Sequence, residues 1–117
     1  MKKISLFLLV CFIVFICPVA FAHPPSDITI TYDPATKILK AIIIHNVSNP
    51  ANHFIGKVDV GLNGKEIIEH KISKQDDNLQ QTVAYLIPDV KEGDSISVEA
   101  YCSISGKLTK DIIVKAK

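Results

Sequence analysis

The sequence predicts an all-β domain, a seven-stranded immunoglobulin-like β-sandwich, and three observations carry that expectation. β-branched residues come in short alternating runs, as in Asp27-Ile28-Thr29-Ile30-Thr31-Tyr32. Turn residues separate these runs at roughly 8–12-residue spacing. After the first 22 residues, no long stretch follows a helical period.

The first strand, Asp27 to Tyr32, puts Ile28, Ile30 and Tyr32 on one face, and Asp33-Pro34-Ala35-Thr36 then turns the chain, with proline presetting φ. The second runs from Lys37 to Asn46, and its Ile42-Ile43-Ile44 run predicts cover on both faces. After a loop from Val47 to Asn52, a third strand from Phe54 to Leu62 carries Val58, Val60 and Leu62 on one face. Asn63-Gly64 is a strong hairpin signal, because both residues tolerate positive φ, and Lys65 to Ile72 is the return strand. Ser73 to Asn78 is a polar loop, Leu79 to Ile87 the fifth strand, and Pro88 to Asp94 the next turn. The sixth strand, Ser95 to Ser103, and the seventh, Lys107 to Lys115, meet at Ser105-Gly106. Tryptophan is absent, so the Cys-Trp-Cys signature of antibody domains is not present.

Residues 1–22 stand apart from this pattern. Lys2-Lys3, the uncharged run Leu6 to Ile16 and the small-x-small end Ala20-Phe21-Ala22 have the layout of a secretory signal peptide. The expectation is cleavage after Ala22, one exported domain over 23–117, and a periplasmic or secreted location with no membrane attachment. Two of the 13 basic residues, all lysine, lie in the leader, so the domain is close to neutral against its 12 acids. Without arginine or a lysine cluster it lacks the electrostatic footprint of a nucleic-acid or anionic-membrane binder.

Glycines 56, 61, 64, 93 and 106 form neither a phosphate-binding loop nor a dinucleotide fingerprint, and no serine sits in a nucleophile elbow. What remains for chemistry is imidazole and thiol. Cys11 and Cys17 fall in the leader, which leaves Cys102 as the domain's one cysteine and excludes an intrachain disulfide there. Such a cysteine is a buried inert side chain, an interchain partner or a metal ligand.

His45 ends the second strand, His53 precedes the third and Cys102 closes the sixth, and loops at one end of a sandwich converge. Two imidazoles and a thiolate suit iron, zinc or copper. The plain alternatives are a core cysteine, a strand-capping His45 and a loop His53; His70, beside Glu69, reads as a partly exposed sheet residue. Cleavage at Ala22 would make His23 the first residue, where its ring and α-amino group suit square-planar copper; otherwise it is a frayed end before Pro24-Pro25.

The stretch His45-Asn46-Val47-Ser48-Asn49-Pro50-Ala51-Asn52-His53-Phe54-Ile55, then Lys57-Val58-Asp59-Val60, and later Ala100-Tyr101-Cys102-Ser103-Ile104-Ser105-Gly106, resembles the ferrous-iron domain of the desulfoferrodoxin and superoxide reductase family. His23-Pro24-Pro25-Ser26-Asp27-Ile28 is similar to the mature start of its small exported members. The resemblance implies an immunoglobulin-like sandwich and an oxidoreductase with mononuclear Fe2+, held by four imidazoles in a plane and an axial thiolate. It also implies superoxide, or another small oxidant, as substrate and a periplasmic electron donor. Residue by residue, His53 and Cys102 match ligand positions and His45 matches an earlier one. Ser105 stands where the family has a further ligand histidine, Asn46 replaces a proline, and the loop from His45 to His53 is longer than the family's. His23 is then the imidazole left to complete a third nitrogen. The alternative is a degenerate sandwich, metal-free or copper-binding through His23, acting as a periplasmic binding or interaction module.

Overall fold

The computed structural model describes residues 22–116, so the predicted leader up to residue 21, with Cys11 and Cys17, lies outside the described residues. The fold is all-β. Its strands are β1 (Asp27–Asp33), β2 (Ile38–Ile44), β3 (Ile55–Leu62), β4 (Lys65–Lys71), β5 (Gln80–Leu86), β6 (Ser95–Cys102) and β7 (Lys107–Ile113). They form a three-stranded sheet in the order β1-β2-β5 and a four-stranded sheet in the order β4-β3-β6-β7, every pairing antiparallel. The tight Asn63-Gly64 turn, with φ of 51° and 83°, keeps β4 beside β3, as the hairpin signal requires.

Strand alternation builds the core between the sheets. Leu39, Ala41 and Ile43 of β2 face Val58 and Val60 of β3 and Ile96, Val98 and Ala100 of β6 in one buried cluster. Ile42 and Ile44 are only half-buried, so the triple isoleucine is covered on one face and not on both. Among the described residues no third layer covers the outer side of the three-stranded sheet. β2 and β7 end sooner than the apolar pattern suggests, at Ile44 and Ile113, and the next amides bond outside the ladders, His45 N to Leu79 O and Val114 N to Asp94 O.

Opposite the β2 terminus, Asn63 clasps the β5–β6 loop. Its side chain donates to Asp94 Oδ1 at 3.0 Å and accepts from Ser95 N at 2.9 Å, while Lys91 N donates to Asp94 Oδ2 at 2.8 Å. The Asn63 side chain and then the Lys91 amide hold the Asp94 carboxyl below its ordinary value of 3.8. A depressed carboxylate contributes stability above the unfolded value that is lost as pH falls through the folded one. Asp94→Asn is therefore expected to lower the neutral-pH midpoint and to flatten the acid limb below about pH 4, so that variant and wild type converge at low pH, checked by urea unfolding at pH 3 and pH 7.

Candidate metal centre

One end of the sandwich gathers the N-terminal segment, the end of β2, the start of β3 and the end of β6. Parity carries His45 inward after Leu39, Ala41 and Ile43, and its side chain has 0 % exposure. A buried imidazole needs partners. Gln75, 1 % exposed in the β4–β5 loop, supplies one: His45 Nδ1 lies 2.8 Å from Gln75 Oε1. The same oxygen accepts from Ile55 N at 3.1 Å, and Gln75 Nε2 donates to the carbonyls of His45 at 2.8 Å and Asp77 at 2.9 Å. Two carbonyls at the nitrogen and an amide donor at the oxygen set the orientation of the carboxamide. His45 Nδ1 must then be the protonated nitrogen, which leaves Nε2 as the donor of a lone pair.

His53 and Cys102 are brought together by backbone locks. A register shift between Ile55 and Lys57 bulges β3 and places Ile55 opposite Cys102. Phe54 N donates to Ser103 Oγ at 3.1 Å, and Ser103 N donates back to Phe54 O at 2.8 Å. His53 N bonds Asn49 O at 3.0 Å, closing the turn that leads into the strand. The result is His53 Nε2 3.2 Å from Cys102 Sγ, with the thiol buried at the inward-facing end of β6. Burial first, then the His45 and His23 imidazoles, hold His53 below the usual imidazole value, which favours the neutral form that coordinates.

His23 arrives on no strand. Its ring centroid lies 4.7 Å from that of His45 and 5.0 Å from that of His53, and the latter two are 4.9 Å apart. Nδ1 stands 3.1 Å from the Pro24 carbonyl, so a proton there leaves Nε2 as the donor and engages the nitrogen that a terminal amino chelate would use.

One donor atom from each of His23, His45 and His53 falls within 4.8 Å of the others, so this group could hold a metal ion. The spacings fit. Neighbouring ligands on bonds of about 2.0–2.3 Å stand roughly 3 Å apart, close to the His53–Cys102 contact of 3.2 Å. His45 adds a chemical argument. With Nδ1 donating to Gln75, its Nε2 lone pair faces the His23 carbonyl oxygen at 3.3 Å. Two acceptors facing each other in an enclosed site call for a positive charge, a proton or a cation, beside them.

Of the sequence-predicted residues, His23, His45 and His53 meet at one place, and Cys102 stands against His53 without joining the three-imidazole group. His70 does not join them: it is exposed on β4, with Nδ1 2.8 Å from the Tyr85 hydroxyl. Ser105 is exposed in the β6–β7 turn and brings no imidazole. A second group, Asp59, Glu66 and Glu69, gathers three carboxylates on the outer face of the four-stranded sheet, where Lys57 already pairs with Asp59 at 3.3 Å. The neighbouring Asp59 charge is the main cause that raises Glu66, as expected of a crowded acidic surface. Gln75 was invisible to sequence reasoning, because one glutamine in a polar loop carries no spacing signal. No family model matches the chain, and a search of curated proteins finds no match.

Proposed function

We propose that this domain is an exported, mononuclear iron protein that reduces superoxide, with His23, His45 and His53 as nitrogen ligands and Cys102 as the thiolate. The observation that carries the reading is the convergence of three imidazoles with a buried thiol 3.2 Å from one of them. It agrees with the family that the motifs around His53 and Cys102 resemble. Bound Fe2+ would supply one electron to superoxide, which with two protons leaves as hydrogen peroxide, and a separate donor would restore the ferrous state.

The protein's own groups have separable duties. Gln75 holds the His45 ring in one tautomer, with Nε2 toward the centre. The Phe54–Ser103 lock holds His53 and Cys102 in register. As a ligand, the Cys102 thiolate would donate electron density and offset the positive charge of a bound metal, and its burial shields the sulfur from other oxidants. With Ser105 in place of a fourth imidazole, the ligand set is three nitrogens and one sulfur, which shifts the potential relative to a four-histidine plane. A centre within the imidazole cluster is favoured over a terminal copper chelate because the His23 Nδ1 is turned to a carbonyl, and iron as its metal follows the family resemblance.

The test is iron analysis of the purified mature chain together with its oxidised-state visible spectrum. The expected result is one iron per chain and a thiolate-to-iron band that Cys102→Ser abolishes. Absence of iron from reconstituted wild type, with Cys102→Ser indistinguishable from it, overturns the proposal in favour of a metal-free binding module.

A further inference from the structure

We infer that Gly106 is a positioning residue for this centre: by lacking a side chain it seats Pro24, and the seated proline holds His23 over His45 and His53. The inference rests on the metal reading and adds to it a residue that contributes no ligand atom.

Two prolines fix the arm that carries His23: Pro25 is buried, and Pro24, exposed on its outer side, lies against Gly106. Residues 22–25 belong to no strand, and Pro24 and Pro25 have no N–H to donate. The first strand-like anchor is Ser26 N to Ile44 O at 2.8 Å, three residues after His23. Beyond it, the 3.3 Å approach of the His23 carbonyl to His45 Nε2 brings two acceptors together unless the site carries positive charge. Packing must therefore place the ring in the metal-free protein.

Buried Pro25 supplies part of that packing, and Gly106 against Pro24 supplies the part nearest His23. Its φ is +92°, and a Cβ built on it would stand 2.9 Å from Pro24 N, 3.0 Å from Pro24 Cα and 3.1 Å from Pro24 Cβ. These are backbone and ring atoms, which cannot swing aside as the end of a long side chain can. Gly64 and Gly93 share the left-handed conformation, at +83° and +88°, but a Cβ on either would meet nothing within 4 Å. Left-handed φ alone thus explains those two glycines, whereas Gly106 meets a second requirement, room for the proline. Gly106 also accepts from Cys102 N at 2.9 Å, so one turn touches both the arm and the strand end that bears the thiol.

The experiment compares Gly106→Ala with Gly93→Ala, which carries the same backbone strain without the clash. Fe(II) affinity is measured anaerobically by chelator competition, and the His23 imidazole resonances are followed by NMR in the metal-free proteins. Gly106→Ala is expected to weaken Fe(II) binding about tenfold, within the range seen when a ligand's support is removed. Gly93→Ala should leave it unchanged. In a His23→Ala background, Gly106→Ala should have no further effect on affinity, which separates action through the arm from action through Cys102. Equal affinities for the two glycine variants, or a tenfold loss that persists without His23, would overturn the inference. If wild type takes up no Fe(II), the metal reading fails by itself. The seat then stands or falls on whether Gly106→Ala, and not Gly93→Ala, shifts the metal-free His23 resonances.

Discussion

Gln75→Ala is expected to destabilise the metal-free protein by about 3–4 kcal/mol, an effect large for a residue in a polar loop. The side chain satisfies four groups at once: the His45 ring, the Ile55 amide and the carbonyls of His45 and Asp77. Removal leaves several of them buried without partners, each at about 1–3 kcal/mol before relaxation or water entry. The same change frees the His45 ring to rotate and to switch tautomer, so metal affinity should fall by roughly 10–100-fold. Urea unfolding gives the first quantity and chelator competition the second. Gln75→Leu keeps the volume and loses every hydrogen bond; it should be nearly as damaging if the polar network, and not the cavity, sets the cost.

The second large effect is on metal retention. His45→Ala with His53→Ala removes two of the four candidate ligands, including the imidazole against Cys102. Four-ligand protein sites hold structural zinc by about 10–16 kcal/mol. Halving the set at a cost on the order of 4 kcal/mol weakens binding by about a thousandfold. The double variant should emerge from purification without stoichiometric metal, and no thiolate-to-metal band should develop on reconstitution. A double variant that retains one metal per chain would place the ion elsewhere on the protein.

Much of this molecule could be read from the chain because its signals are local. Ile28, Val58, Val60, Ile96 and Val98 alternate with polar neighbours and turn inward as alternation requires, and Asn63-Gly64 makes its hairpin by intrinsic φ preference alone. The site was partly legible for the same reason. His45 and Cys102 continue the inward parity of β2 and β6, and strand ends on one side of a sandwich converge whatever the loops between them.

Other features depend on contacts that local sequence does not encode. Ile42 and Ile44 have the hydrophobicity of core residues, but among the described residues no layer covers them. Gln75 reaches His45 from 30 positions away through a loop of ordinary composition. Gly106 reads as a turn glycine until Pro24 is found against it, more than 80 residues from it in sequence. His23 joins the centre through that packing, which no periodicity forecasts.

The central claim, a metal held by His23, His45, His53 and Cys102, is tested most directly by anomalous diffraction at the iron edge from crystals of the Fe(II)-loaded mature chain. The expected result is a single peak at the His45 end of the sandwich, about 2.0–2.3 Å from the nitrogens of His23, His45 and His53 and from Cys102 Sγ. No peak at that end, or a peak only among Asp59, Glu66 and Glu69, would contradict it.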